Sequence, residues 1–287
     1  IAFSFMLPVI VVRILSQEEF GLYKQAFKVL MNAVTILSLG FAMSAFYFLS
    51  RDKEKRPAAV LNILLFHFVI GGLAFALLFI YPDFLILLTK SERMSELAPL
   101  IGTAIWIWLF SIFLETVAVA NKESRPSTFF IIFSQVSKTL LIIGAVALLG
   151  TIESILYAAI IQGAIQTLFL LVYLNSRFPK FWTKFDLGFF KDHMIYAIPF
   201  GLAATLWILQ QDIHQYFVMN KFSDADFAIY AAGCAQLPFA AILIDSIGSV
   251  LIPRMTELQQ KNDKREMIRV TARAMQKLAF FFFPIFV

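Results

Sequence analysis

The sequence predicts an all-α protein, a polytopic bundle of helices that cross a membrane. Hydrophobic residues make up 60% of the chain, and its mean hydropathy is +0.79. Charged residues cluster between apolar runs of about 20 residues, a length that spans roughly 30 Å of hydrocarbon. The short alternating strands of a membrane β-barrel are not seen in the sequence. Because Cys234 is the single cysteine, we expect neither an intrachain disulfide nor a cysteine-based metal site.

Nine apolar runs predict nine spanning helices. Both ends of the sequence fall inside apolar runs, so we expect the first and last spans to be truncated and the sequence to be a fragment. The predicted spans cover residues 1–15, 25–49, 58–80, 96–120, 127–149, 153–174, 193–218, 227–252 and 272–287.

Two connections are longer than the others. Residues 175–193 interleave aromatic residues with lysines, which predicts a segment at the membrane surface. Residues 254–273 are highly charged, and apolar residues recur there at helical spacing, which predicts an amphipathic helix that leads into the ninth span. These apolar residues are Met267, Val270, Ala274 and Leu278.

Lysine and arginine are distributed unequally between the two sets of loops. The loops after even-numbered spans hold 16 of them, and the loops after the first, third, fifth and seventh spans hold 6. Positive charge marks the cytoplasmic side, so the even-numbered loops and the segment before the first span are predicted to be cytoplasmic.

A short repeat indicates how the bundle is organised. Ser16-Gln-Glu-Glu-Phe-Gly-Leu-Tyr23 matches Ser223-Asp-Ala-Asp-Phe-Ala-Ile-Tyr230 at an offset of 207 residues. The copies lie six spans apart and so share one orientation, as in parallel repeats related by an axis along the membrane normal. We therefore predict a six-helix lobe at 1–175, a cytoplasmic surface linker at 176–192 and a partial second lobe, spans seven to nine, at 193–287.

Charged residues inside spans need a reason, because a charge at a helix centre costs roughly 2.5–3.5 kcal/mol on insertion scales. Lys138 lies in the middle of span five, too far from either end to reach water. Ser134 and Gln135 lie one turn before it on the same face. We expect Lys138 to line a wet central cavity, and the alternative is a buried ion pair with Glu115 of span four.

Other polar residues lie in spans six to eight and in span three. Asp212 and His214 near the outer end of span seven, with Gln210 and Gln211, form either a cavity-facing stripe or a solvated helix end. Gln162 and Gln166 of span six either join helices or line the cavity. Asp245 lies near the inner end of span eight. His67 of span three is expected to be a packing histidine with satisfied ring nitrogens.

No enzyme signature is found in the sequence. It has no phosphate-binding loop and no metal-ligand spacing. It also lacks the large soluble domain that most membrane transferases carry. We therefore expect no catalytic residues, no metal and no cofactor, although polytopic enzymes without a soluble domain exist.

Four stretches carry a resemblance to a known family. They are Arg13-Ile-Leu-Ser-Gln-Glu-Glu-Phe-Gly-Leu-Tyr23, Tyr196-Ala-Ile-Pro-Phe-Gly201, Gln211-Asp212 with Ile229-Tyr230, and Leu251-Ile252-Pro253. In this order they resemble the polysaccharide-biosynthesis flippases of the MATE-like exporter superfamily. One departure concerns Asp212: the family often has Arg or Lys directly after it, and this sequence has Ile213.

The resemblance implies two six-helix lobes around a cleft that opens alternately to each side of the bacterial inner membrane. It implies a polyprenyl-pyrophosphate-linked oligosaccharide as substrate and the polysaccharide polymerase machinery as a partner, with no nucleic acid. Lys138 would bind the pyrophosphate, and Gln162, Gln166 and Gln210 would bind sugar hydroxyls. Gln135 and Gln211 are further substrate-binding candidates. Candidates to bind a coupling H⁺ or Na⁺ are Asp212, His214, Glu115 and Asp245.

Two rival functions remain open. A drug or cation antiporter of the same superfamily would use an acidic cavity, which Asp212, Glu115 and Asp245 permit and Lys138 disfavours. A polytopic membrane transferase would need a reactive constellation at one membrane face, and none is evident. A structural scaffold is a poorer explanation, because it gives the intramembrane charges no use.

Overall fold

A computed structural model describes residues 2–51, 54–234, 251, 255, 258 and 263–286. All of the regular secondary structure in this part of the chain is helical, which confirms the all-α prediction. The elements are α1 (Ala2–Ile14), α2 (Gln17–Leu37), α3 (Phe41–Arg51), α4 (Arg56–Ile80), α5 (Phe84–Thr89), α6 (Glu92–Ser111), α7 (Phe113–Ala120), α8 (Ser124–Leu149), α9 (Ile152–Arg177), a 3-10 turn (Phe181–Thr183), α10 (Leu187–Lys221), α11 (Asp224–Gly233) and α12 (Lys264–Phe286).

Five helices among the described residues are long and apolar enough to cross a membrane. They are α4, α6 taken together with α7, α8, α9 and α10. A sixth span results if α2 and α3, whose axes differ by 44°, count as one bent helix. These six correspond to predicted spans two to seven, so the chain is a multi-pass membrane protein. Most of predicted span eight lies outside the described residues.

Residues 2–233 form one compact unit, and residues 234–287 form another. The division falls at residue 233, because α10 packs against α2, α3, α4 and α5. The predicted boundary between two lobes at 176–192 stays a prediction. Within the second unit, α12 follows the predicted amphipathic pattern. The apolar positions at 267, 270, 274 and 278 are half-buried, and most of the residues between them are exposed.

The predicted surface linker is shorter than expected, because α10 begins at Leu187. Asp186 caps this helix by accepting a hydrogen bond from the Phe189 amide at 3.0 Å. Phe178 and Phe181 are buried against the bundle, whereas Trp182 is 55% exposed. The aromatic residues of the linker are therefore divided between anchoring the bundle and facing outward.

A bend separates α2 from α3 and brings α10 into backbone contact with it. Leu39 and Gly40 both have positive φ angles, 44° and 74°. A Cβ on Gly40 would lie 2.6 Å from the Ala197 carbonyl oxygen, and one on Gly201 would lie 2.7 Å from the Leu39 carbonyl carbon. Only glycine fits at this crossing of α10 over the bend.

The two copies of the sequence repeat form the same local structure. Ser16 precedes α2 and accepts a hydrogen bond from the Glu19 amide at 3.2 Å. Ser223 precedes α11 and accepts one from the Asp226 amide, also at 3.2 Å. Each serine with the acidic residue three positions later therefore marks a helix N-terminus. The repeated phenylalanines, Phe20 and Phe227, are both buried.

The repeated helices also contact one another. The loops before α2, α6, α9 and α11 lie at one end of the bundle, called the Ser16 end here; the opposite end is called the Lys55 end. A Cβ on Gly21 of α2 would overlap the backbone carbonyl of Asp224. Gln25 and Ser91 each donate a hydrogen bond to the Asp224 carboxylate, at 2.8 and 2.9 Å. Gln17 donates to the Ala225 carbonyl at 3.0 Å.

Candidate functional site

Four polar residues meet between α2 and α10, inside predicted spans two and seven. The Lys28 ammonium donates to Asp212 Oδ1 at 2.9 Å, and Asn32 Nδ2 donates to Asp212 Oδ2 at 2.9 Å. Asn32 Nδ2 also donates to the Tyr216 hydroxyl at 3.2 Å. We call Lys28, Asn32, Asp212 and Tyr216 the α2–α10 polar cluster.

Helical spacing explains how the cluster forms. Lys28 and Asn32 are four residues apart on α2, and Asp212 and Tyr216 are four residues apart on α10, so each pair shares one helix face. The side chains of Lys28 and Asp212 are 27% and 13% exposed. Both oxygens of the carboxylate accept hydrogen bonds, which compensates part of the cost of burying the charge.

Sequence reasoning found Asp212 and missed its partners. Span two is predicted to begin at residue 25, although Lys24 and Lys28 are counted among the six basic residues of the outer loops. In the structure α2 begins at Gln17, so both lysines are helical. The signal that could have found them is the Ser16 cap with Glu19 three residues later. Asp212 has no basic neighbour in sequence, and Lys28 supplies the counter-charge from another helix.

Lys138 lies at one end of a row of rings. The centroids of Phe20 and Tyr23 are 6.0 Å apart, those of Tyr23 and Phe27 are 4.9 Å apart, and those of Phe27 and Trp108 are 6.3 Å apart. The Lys138 ammonium lies 5.7 Å from the Trp108 centroid. A cation over an aromatic face is stabilised by the ring quadrupole. The row therefore connects α2, α6 and α8.

Lys24 lies at the other end of this row. Its ammonium is 5.3 Å from the Phe20 centroid and 5.8 Å from the Tyr23 centroid. Lys24 and Lys28 are one turn apart on α2, so the α2–α10 polar cluster and the aromatic row adjoin each other.

Glu115 lies close enough to Lys138 for electrostatic attraction, but the two do not form a direct ion pair. Both side chains are half-buried, as is Gln135. Ser134 is buried one turn before Lys138, and its side chain lies beside the Glu115 carboxylate. The structure thus brings Lys138, Glu115 and Ser134 together, while the wet cavity expected around Lys138 stays a prediction.

Gln162 and Gln166 lie between helices. They are buried, and Gln162 Nε2 donates to Gln166 Oε1 at 2.8 Å. Gln166 Nε2 donates to the Ser111 carbonyl at 3.0 Å, beside the break between α6 and α7 at Ile112. These amides satisfy a carbonyl at a broken helix, an arrangement typical of residues that join helices.

The other predicted site residues lie apart from the α2–α10 polar cluster. Gln210 and His214 are exposed and Gln211 is half-buried. His214 Nδ1 is 2.9 Å from the Tyr230 hydroxyl, which joins α10 to α11. Asp245 lies outside the described residues.

His67 packs among rings as predicted, but its nitrogens are not satisfied. Its ring centroid lies 6.0 Å from that of Phe41 and 6.4 Å from that of Phe113. Neither ring nitrogen has a hydrogen-bond partner. His67 therefore fills space in the core by packing against aromatic rings, and its ring nitrogens form no hydrogen bond.

The charged residues around the site are lysines and carboxylates in unequal number. The α2–α10 polar cluster and the aromatic row contain Lys24, Lys28 and Lys138, and the carboxylates beside them are Asp212 and Glu115. These five residues together carry one uncompensated positive charge. Among the residues that the structure describes, no group of three or more His, Cys, Asp or Glu side chains could hold a metal ion.

A comparison with known proteins identifies the family of this chain. A family model described as "Polysaccharide biosynthesis protein" matches residues 2–259. No curated protein matches the chain significantly. No solved structure does so either. The match covers most of the chain and includes α1 to α11. The chain is therefore a member of the polysaccharide biosynthesis protein family, with a role in polysaccharide biosynthesis or export.

Proposed function

We propose that the protein translocates a lipid-linked oligosaccharide across a membrane by alternating access. The observation that carries this proposal is the Lys28–Asp212 ion pair. It joins span two, which lies in the first repeat copy, to span seven, which begins the second. An ion pair held inside the membrane between repeat copies has to break if the copies move apart, so it can act as a latch.

Ligands at the latch would bias its two states. A ligand shifts a conformational equilibrium only if it binds one state better than the other. An anionic pyrophosphate would compete with Asp212 for Lys28, and H⁺ or Na⁺ would compete with Lys28 for Asp212. Either competitor weakens the latch, so cargo and coupling ion would act on the same bond.

The charge balance supports this cargo over a cation. A drug or cation antiporter needs an available carboxylate, and both oxygens of Asp212 are already bound by Lys28 and Asn32. Glu115 lies within the electrostatic range of Lys138. Lysine ammonium groups suit phosphate oxygens through charge-assisted hydrogen bonds. We infer transport instead of catalysis, because no cluster of reactive side chains of the kind a transferase needs is evident in the sequence.

Location and orientation follow from the same proposal. We place the protein in the bacterial inner membrane with the Lys55 end cytoplasmic, because the Lys- and Arg-rich loops lie there. The Ser16 end would then face outward. The polysaccharide polymerase that extends exported units would be the partner on that side.

The test is complementation of a deletion strain with the wild-type gene, Lys28→Ala, Lys138→Ala or the control Lys184→Ala. Lys184 is an exposed lysine of the linker. We expect the deletion to lose surface polysaccharide and to accumulate lipid-linked oligosaccharide in the inner leaflet. Wild type and Lys184→Ala should restore export, and both interior variants should fail at equal membrane abundance. Normal surface polysaccharide in the deletion strain, together with new sensitivity to cationic drugs, would favour the antiporter.

A further inference from the structure

A cavity of about 610 Å³ opens beside the α2–α10 polar cluster. It lies among α2, α4, α5, α6 and α10, and eighteen residues line it. Only Asn32 and Tyr216 among them carry polar side-chain groups. The edge of the cavity includes Leu73, Leu209 and Ile213, which are 61%, 49% and 63% exposed. The cavity is therefore an apolar pocket with one polar wall.

This composition limits what the cavity can hold. Ligand pockets usually measure roughly 300–1,000 Å³ and are mostly apolar, with a few polar groups that orient the ligand. A glycan is a poor fit, because its hydroxyls would lose their hydrogen bonds to water and meet aliphatic side chains. A hydrocarbon chain loses nothing on entering such a pocket. The lining therefore selects an apolar chain.

The polar wall of the cavity indicates which head group the bound hydrocarbon chain carries. Asn32 and Tyr216 belong to the α2–α10 polar cluster, and Lys28 lies one helical turn from Asn32. Lys28 uses one N–H donor on Asp212, so its ammonium has two more. An amphiphile with its chain in the cavity would bring an anionic head group to this lysine.

We propose that the cavity binds the isoprenoid chain of the lipid carrier and that Lys28 binds the phosphate attached to it. The proposal rests on the translocation function proposed above and adds a place for each half of the cargo. The chain stays in an apolar pocket between α4 and α10, and the phosphate replaces Asp212 at Lys28. Asp212 then keeps only the hydrogen bond from Asn32, so occupancy of the cavity releases the latch between α2 and α10.

The test is photo-crosslinking in native membranes with an isoprenyl diphosphate that carries a benzophenone on its chain. Adducts in the wild-type protein should map to cavity residues of α2 and α4, such as Ala33, Ala74 and Leu77. Unlabelled polyprenyl phosphate should compete, and phosphatidylglycerol at the same mole fraction should not. Adducts at residues outside the cavity lining would overturn the proposal, as would equal competition by phosphatidylglycerol, which would assign the cavity to membrane lipid.

Two substitutions that fill the cavity sharpen the test. Ala74→Trp and Ala33→Phe each place a large ring in the pocket, and Val69→Trp adds the same bulk to an exposed position of α4 outside it. Labelling should fall about tenfold in the first two variants, a loss of about 1.4 kcal/mol of binding free energy, and stay unchanged in Val69→Trp. Unchanged labelling in a correctly folded cavity variant would contradict the proposal.

The outcomes separate this inference from the function on which it rests. A deletion strain with normal surface polysaccharide refutes translocation. A deletion strain that loses surface polysaccharide, together with adducts outside the cavity, keeps translocation and refutes the cavity as the chain site.

Discussion

At the scale of single residues, stability alone explains the Lys28–Asp212 pair poorly. Each charge loses hydration inside the bundle, and the pair regains part of that loss through its hydrogen bonds. A buried pair of this kind costs most when one member is removed, because the other remains charged and unpartnered. The latch proposed for this pair depends on the same asymmetry.

We therefore predict strong coupling between Lys28 and Asp212 in a double-mutant cycle. Lys28→Met and Asp212→Leu should each lower the free energy of unfolding by about 1.5–3 kcal/mol, since a charged hydrogen-bond partner is left alone. The double variant should lose less than the sum, with a coupling energy of about 0.5–3 kcal/mol. Thermal unfolding of the detergent-solubilised protein measures this. Additive losses would mean that the two side chains do not interact.

His67 illustrates the opposite case, a buried polar group without a partner. His67→Leu should leave stability unchanged or raise it by about 1 kcal/mol, because the change removes two unsatisfied nitrogens from a site among phenylalanines. Gln166→Leu is the matched contrast. It leaves Gln162 and the Ser111 carbonyl without their hydrogen-bond partner and should lower the free energy of unfolding by about 1–3 kcal/mol. Comparable losses in the two variants, measured by thermal unfolding, would show that His67 is hydrogen-bonded.

At the scale of elements, apolar runs located spans two to seven but not where the helices begin. A run of apolar residues marks the part of a helix that lies in the hydrocarbon of the membrane. The helix itself begins where a side chain caps its first backbone amides. Ser16 caps α2 well before the apolar run, and Asp186 does the same for α10. The bend at Leu39 and Gly40 could not be predicted from the hydropathy of the sequence, because it depends on backbone angles and on the contact with α10.

The site was only half predictable for a related reason. The cost of intramembrane charge pointed to Asp212 and Lys138 without any structure. Their neighbours could not be inferred, because Lys28 and Asp212 are separated by 184 positions in the chain. Only the packing of α10 on α2 brings them together. The Trp108 ring under Lys138 likewise depends on how α6 and α8 pack.

The crossing of α2 and α11 predicts an unusual response to a glycine substitution. In the interior of a helix, Gly→Ala normally stabilises by about 0.5–1 kcal/mol. Gly144→Ala on α8 should follow this rule, because the added Cβ would meet no atom within 4 Å beyond its chain neighbours and the backbone of its own helix. Gly21→Ala should instead destabilise, since its Cβ would overlap the Asp224 carbonyl. Thermal unfolding of both variants checks this, and a stabilised Gly21→Ala would mean that α2 and α11 do not touch there.

At the scale of the whole molecule, the Ser16 end of the 2–233 unit is closed by bonds among four helices. Arg93 of α6 contacts Glu153 of α9 at 3.0 Å and Glu19 of α2 at 3.5 Å. Glu19 also accepts a hydrogen bond from the Ile152 amide at 2.9 Å. Asp224 joins α11 to α2 and α6 through Gln25 and Ser91. The bonds that join α2, α6 and α9 lie inside the first repeat. The bonds of Asp224 connect the first repeat to the second.

Alternating access requires the contacts between the repeats to open while those within the first repeat persist. A disulfide between Gln17→Cys and Ala225→Cys, in a Cys234→Ala background, should therefore block polysaccharide export. Gln17 Nε2 donates to the Ala225 carbonyl at 3.0 Å, so the two positions face each other across the contact between α2 and α11. The control pair is Asp83→Cys with Ser95→Cys, where a 2.9 Å hydrogen bond joins residues of the first repeat. Oxidation should stop export only in the first pair, and a reductant should restore it. Export that continues with the Gln17–Ala225 pair fully cross-linked would show that the Ser16 end stays closed throughout transport, and the latch between Lys28 and Asp212 would then have to open without separation of α2 from α11.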